Sequence, residues 1–158
     1  MAAVERAGEL RAAPLLKGLA RMIERELGAY DIRERALVAR AYAQTGGESA
    51  RDLLERTYEK ARAGSRPWIE MAALSGLLAL PGGRAAAGQE VLERFRSSKE
   101  PDRDSVIAAA AVLRGIAADP KRTLKELARP LVNHEFSETE ETQGAGSQIQ
   151  KLAQTALA

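Results

Sequence analysis

The feature that most constrains the fold is the regular spacing of helix-breaking residues along the chain. Gly46 and Gly82 lie 36 residues apart, and Gly82 and Asp119 lie 37 residues apart. Between these breaks the apolar residues recur at helical rather than strand spacing. Self-similarity at a period of this length indicates helical hairpins that stack and bury their apolar faces against their neighbours. The sequence therefore predicts an all-α fold.

The stretch from Ser65 to Ser98 shows the repeating layout most clearly. An apolar run begins at Trp68, and Pro81-Gly82-Gly83 cannot continue a helix. A second apolar stripe begins at Val91. When the repeated hairpins are aligned, the first helix of this stretch becomes the second helix of one repeat unit. The helix after the Pro-Gly-Gly break then becomes the first helix of the next repeat unit. The Pro-Gly-Gly break is therefore predicted to be a joint between units.

Composition agrees with helices and excludes several kinds of site. Aromatic residues make up only 4% of the chain and the apolar residues are mostly Ala and Leu, a mixture that favours helices over strands. Because the chain has no cysteine, it can form no disulfide, thiolate nucleophile or cysteine-ligated zinc site. The charged first residues predict neither a signal peptide nor a membrane span. We expect a soluble, cytoplasmic protein of bacterial type.

Residues 14–47 resemble a HEAT-like repeat of the armadillo and HEAT class. A Leu-rich first helix is followed by a short turn that ends in Asp31, with Arg33 two residues on, and by a second helix rich in Ala before a glycine turn. Residues 48–83 repeat the layout. The resemblance implies a single domain over residues 1–158 with these parts: a capping helix at 2–12, units at 14–47, 48–83, 84–119 and 120–157, and an acidic loop at 135–146.

The predicted fold is a short right-handed α-solenoid of about four antiparallel helical hairpins, with 8–10 helices in all. A fresh helix is expected directly after Asp119-Pro120, and a terminal helix over 147–157 is expected to cover the open end. Two alternatives stay open at this point. They are an array resembling tetratricopeptide repeats, whose period is about 34 residues, and a helical bundle without repeats.

Residues suited to catalysis are sparse. His134 is the single histidine and is expected in an exposed turn, so no pair of histidines can bind a metal. Glu138, Glu140 and Glu141 lack the spacing of a calcium loop and indicate an exposed acidic segment. Gly82-Gly83-Arg84 is interpreted as a hairpin turn rather than an anion cradle. We expect no enzyme activity, cofactor or metal, and an enzyme based on carboxylates is the remaining catalytic alternative.

The resemblance implies that second helices line the concave side of the stack. This would place Arg33, Arg40, Glu70, Ser75 and Arg114 near a groove. We therefore expect a scaffold that binds another protein or a peptide, with these candidate contact residues: Arg33, Arg40, Trp68, Glu70 and Arg114. Trp68 has the alternative interpretation of a core residue packed between hairpins. The alternative function is nucleic-acid binding through an Arg-rich face.

Overall fold

The computed structural model describes residues 14–26 and 31–158 of the chain, with the side chains of residues 25 and 26 excepted. Over these ranges the regular secondary structure is entirely helical. The α-helices are α1 (14–21), α2 (Ile32–Gly46), α3 (Arg51–Ala63), α4 (Pro67–Leu78), α5 (Ala85–Ser97), α6 (Arg103–Ala118) and α7 (Ala145–Leu157). A π-helical turn, Met22–Glu26, continues α1, and 3-10 helices cover Gly47–Ala50 and Lys125–Leu131.

The all-α prediction is confirmed, with seven α-helices in the described ranges against the eight to ten expected. The capping helix predicted at 2–12 lies outside the described residues. None of the helices given above is both long and apolar enough to cross a membrane.

Three helix starts follow local sequence rules. The Asp31 carboxylate accepts a hydrogen bond from the backbone N–H of Glu34 at 3.0 Å, and α2 begins at the next residue. Asp102 caps α6 in the same way through Ser105 at 2.8 Å. Pro67 occupies the first turn of α4, where a missing N–H costs nothing. The starts of these three helices therefore follow from residues within one turn of each start.

Helix α4 is the centre of the core. Every residue from Ala72 to Leu80 is buried, because α4 packs against α2 and α6 on its two sides and against α3 and α5. A helix that is surrounded in this way needs no polar face, and this one carries Leu, Ala, Ser and Gly at the buried positions.

Small residues bring α2, α4 and α6 close together. Ala36, Ala72 and Ala111 form one buried cluster. A methyl group added at Gly76 would lie 2.9 Å from the backbone oxygen of Ala39, and one added at Gly115 would meet the backbone oxygen of Ser75. The contacts follow rising residue numbers on all three helices, so the helices run parallel. We call this set the small-residue interface: Ala36, Ala39, Ala72, Gly76, Ala111 and Gly115.

The prediction of a fresh α-helix directly after Asp119-Pro120 is wrong. The buried Asp119 carboxylate accepts hydrogen bonds from the backbone N–H groups of Lys121 and Thr123, at 2.9 and 3.0 Å, and from the Thr123 hydroxyl at 2.7 Å. These bonds hold the chain in a turn, and Arg122 adopts a left-handed backbone with φ of 52°. The 3-10 helix Lys125–Leu131 is the only helix between this turn and α7.

The acidic loop predicted at 135–146 is tied to the rest of the molecule at several points. The backbone N–H of Ser137 donates to the carbonyl of Lys99 at 2.9 Å. The Glu138 carboxylate accepts from the N–H of Gly146, in the first turn of α7, at 2.7 Å. Helix α7 then packs against α6 and the second 3-10 helix, so it is part of the core.

Candidate functional site

A groove of about 260 Å³ lies between α2, α6 and the start of α7. Four arginines line it: Arg33 and Arg40 from α2, and Arg103 and Arg114 from α6. Glu141 lines it too, in the turn before α7. We call this site the arginine groove. It has more positively charged lining residues than the other pockets in the described part of the chain.

Helical spacing explains why the arginines meet. Arg33 and Arg40 are seven residues apart, which places them on the same face of α2 two turns from each other. Arg103 and Arg114 stand at the two ends of one face of α6, three turns apart. Between these charges the walls are apolar, with Ile32 from α2 and the following lining residues from α6: Val106, Ile107, Ala110 and Ala111.

Arg40 is fixed by a short hydrogen-bonded chain that crosses three helices. Its Nη1 donates to the Ser75 Oγ at 3.0 Å, and that hydroxyl donates to the backbone oxygen of Ala111 at 2.7 Å. Ser75 is fully buried, so it does not reach the groove surface. It acts instead as a support that links α2 to α6 through α4.

The electrostatics of Arg40 are unfavourable in the absence of an anion. Burial, together with the positive charge of Arg114, lowers the pKa of Arg40 to about 10. The side chain is still cationic at neutral pH, so a partly desolvated charge lies beside a like charge. A ligand that supplies negative charge here would offset that cost.

The four groove arginines form no ion pair with a described carboxylate. Among the described residues no carboxylate oxygen lies within 4.0 Å of a side-chain nitrogen of any of the four. Some arginines elsewhere in the described chain are ion-paired, as Arg84 is with Glu55 at 2.7 Å, whereas Arg62, Arg66 and Arg96 are not. The groove therefore presents guanidinium groups whose hydrogen-bond donors can reach a ligand.

The structure brings together three of the five predicted contact residues. Arg33, Arg40 and Arg114 all line the arginine groove. Trp68 and Glu70 are half-buried in the first turns of α4 and are not among the lining residues of this groove. Their part in partner binding stays a prediction.

Sequence reasoning missed two charged lining residues, Arg103 and Glu141. Arg103 carried a usable signal, because it follows the Asp102 cap and lies on the same helical face as Arg114. Glu141 carried none that distinguished it from its acidic neighbours. Its position depends on how the irregular segment before α7 folds back onto α2 and α6.

His134 is half-buried rather than exposed, which corrects the expectation of an exposed histidine in a turn. Its ring lies against two others, with centroids 6.0 Å from Phe95 and 6.2 Å from Phe136. Burial, and then the charge of Arg96, lower the pKa of His134. The neutral ring is thus favoured, and its place among aromatic side chains indicates a structural role.

The Gly82-Gly83-Arg84 segment forms the expected turn between α4 and α5. Gly82 has φ of 65°, a left-handed conformation that suits glycine. The Arg84 side chain lies over the Tyr58 ring at 4.3 Å and pairs with Glu55 and Glu59, so it serves the joint between α3 and α5. No cluster of three or more potential metal-ligating side chains occurs in the part of the chain that the structure describes.

Comparisons with protein-family models, with curated proteins and with solved structures found nothing that matches this chain. The functional argument therefore depends on the geometry and electrostatics given above.

Proposed function

We propose that this chain is a non-catalytic, cytoplasmic binding protein that holds a short acidic segment of a partner protein in the arginine groove. The observation that carries the proposal is the state of Arg40. It is partly buried beside Arg114, with its pKa lowered, and no described carboxylate pairs with it. Such a charge is best stabilised by an anionic side chain that enters from outside.

We also propose that the helices form a short right-handed solenoid of about four hairpins, of the HEAT-like kind. Support comes from the order of packing: α2, α4, α6 and α7 lie side by side in that order. A second element pairs with each of the last three, namely α3, α5 and the second 3-10 helix. The arginine groove lies on the side formed by the first set, as expected for the concave side of such a stack.

The size and lining of the groove favour a peptide over a larger ligand. Its volume of about 260 Å³ is near the lower end of the range for ligand pockets. It can therefore hold a few side chains but not a folded surface. Because Ile32 and Ile107 line the groove together with the arginines, the matching segment would carry acidic residues next to an aliphatic one.

The direct test is fluorescence anisotropy with two labelled peptides, one with glutamates around a leucine and one with lysines in place of the glutamates. We expect the full chain to bind only the acidic peptide. Arg114→Gln should weaken binding by about 10- to 100-fold, the range for a lost hydrogen bond to a charged group. Arg40→Gln should act in the same direction.

The matched control is Arg62→Gln, which removes the same charge from the exposed end of α3, away from the groove. It should leave the affinity for the acidic peptide almost unchanged. If Arg62→Gln weakens binding as much as Arg114→Gln, attraction to net positive charge explains the binding and the groove does not. If the acidic peptide does not bind at low salt, the proposal is wrong.

The arginine cluster also supports a second candidate, binding of a nucleic acid. Arg33, Arg40 and Arg114 meet in the groove, whereas Arg51 pairs with Glu48 and donates to the carbonyl of Pro81 instead. This candidate predicts a log-log salt slope near the number of phosphates contacted. An electrophoretic mobility shift that is absent at low salt would exclude it.

A further inference from the structure

We infer that Glu141 determines which ligand the arginine groove accepts, by selecting a peptide that carries acidic residues and then a basic one. The inference rests on the proposed function and names the charge pattern of its partner. Glu141 is the acidic side chain among the lining residues, and it stands at the end of the groove formed by the turn before α7. It gives the groove a negative end.

The position of Glu141 is set by the turn that contains it. The next residue, Thr142, is buried, and its Oγ1 accepts from the backbone N–H of Thr139 at 2.8 Å. The carbonyl of Thr142 accepts from the N–H of Ala145 at 2.9 Å, which joins the turn to α7. The Glu141 backbone is therefore held at both sides, although its side chain is exposed.

The charged side chains that line the groove form no ion pairs with one another. Glu141 makes no ion pair within 4.0 Å with any described residue, so its carboxylate and the four arginines line the groove without pairing with one another. A uniformly acidic ligand that filled the groove would meet repulsion at the Glu141 end. A ligand that places Lys or Arg there gains an ion pair instead, and like-charge contact of this kind is how interfaces reject wrong partners.

The same reasoning separates a peptide from a nucleic acid. A nucleic-acid strand carries a phosphate at every nucleotide, so it cannot avoid placing negative charge next to Glu141. A peptide can change its charge sign within one residue. Glu141 therefore disfavours a continuous polyanion in the site where the arginines would otherwise attract one.

The test compares three labelled probes on the wild-type chain and on Glu141→Gln. The probes are a peptide with glutamates followed by lysine, a peptide of the same length with glutamates only, and a single-stranded oligonucleotide. We expect Glu141→Gln to weaken the mixed peptide by about two- to fivefold and to strengthen the other two probes by a similar factor, as for exposed charge pairs. Glu141→Lys should enlarge both changes.

Glu140→Gln is the matched control, because Glu140 is the adjacent exposed acid and does not line the groove. Equal effects of the two Gln variants on every probe would overturn the inference, because net charge alone would then explain them. Binding of both peptides with no dependence on Glu141 would overturn the inference and leave the proposed function standing. If neither peptide binds the wild-type chain, both are wrong. Circular dichroism of each variant checks that it is folded.

Discussion

The small-residue interface and the segment 119–144 are held together in opposite ways. In the first, α2, α4 and α6 approach closely because Ala and Gly leave room for the neighbouring backbone. In the second there is little regular helix, and side chains such as Asp119 and Thr142 satisfy the backbone instead. The difference teaches that steric fit fixes one region, whereas polar bonds fix the other.

The largest loss of stability is expected when one methyl group is added within the small-residue interface. In Gly115→Ala the new Cβ meets the backbone oxygen of Ser75, which cannot move without shifting α4. We expect the free energy of unfolding to fall by about 3 kcal/mol, the upper part of the range for overpacking. Denaturant unfolding followed by circular dichroism measures it.

The control for this prediction is Gly18→Ala in α1, where an added Cβ has no neighbour within 4 Å. That variant should gain about 0.5–1 kcal/mol from helix propensity. Equal stability of the Gly115 and Gly18 variants would mean that α4 and α6 are not in close contact.

A smaller loss of stability is expected when the hydrogen bonds of Asp119, in the segment 119–144, are removed. In Asp119→Ala two backbone N–H groups and the Thr123 hydroxyl lose a buried acceptor, so the free energy of unfolding should fall by about 2 kcal/mol. The same measurement on Asp104→Ala, an exposed acid in the first turn of α6, should show a loss below about 1 kcal/mol. Similar losses would contradict the account of the 119–123 turn.

Asp119 also predicts a pH dependence. Burial alone raises the pKa of its carboxyl, but the hydrogen bonds from Thr123 and Lys121 outweigh burial and hold the pKa below its usual 3.8. The folded chain therefore binds fewer protons than the unfolded chain. The contribution is fully present above pH 3.8 and is lost as the pH falls from there through the folded pKa. In Asp119→Ala the acid-induced loss of stability should be shallower.

Ser75→Ala sharpens the comparison, because it removes the polar support within the small-residue interface. The variant leaves Arg40 without its described hydrogen-bond acceptor but keeps the backbone packing. We expect a loss of about 1 kcal/mol in the free energy of unfolding, well below that of Gly115→Ala. Ser97→Ala, at the exposed end of α5, is the control and should change little. If Ser75→Ala lowered the free energy of unfolding more than Gly115→Ala does, polar bonds would contribute more than steric fit to this interface.

The smallest effect is expected from protonation of His134, which lies in the segment 119–144 and contacts Phe95 of α5 and Phe136. Because its folded pKa lies below 6.5, the unfolded chain binds the proton more readily. The free energy of unfolding should fall as the pH drops below 6.5 and become constant below the folded pKa. His134 is the only histidine, so His134→Gln should abolish this slope. A slope that persists in the variant would assign it to other groups.

The sequence predicted those parts of the fold that depend on neighbours along the chain. Asp31, Asp102 and Pro67 act within one turn of their own position, so their helix starts could be predicted. The expectation that Arg40 and Arg114 lie near one groove came from the resemblance to HEAT-like repeats, and both residues line the arginine groove.

The irregular segment could not be predicted in the same way. Its path depends on contacts far apart in the chain, such as the bond from Ser137 to Lys99. At Asp119 the N-cap signal was present, but the same carboxylate can equally hold a tight turn, and the Thr123 hydroxyl stabilises the turn. Glu141 reaches the groove only as a result of that path.

The contacts at Gly76 and Gly115 bear on how such a chain can evolve. Helix α4 meets Ala39 through Gly76 on one side, and its own Ser75 carbonyl meets Gly115 on the other. A duplication or deletion of residues 48–83 would replace both contacts at once. Each new neighbouring helix would then need small residues at the positions along its axis where the helices touch. Length can therefore change in the turns between helices, whereas whole units cannot be exchanged without compensating substitutions on both flanks.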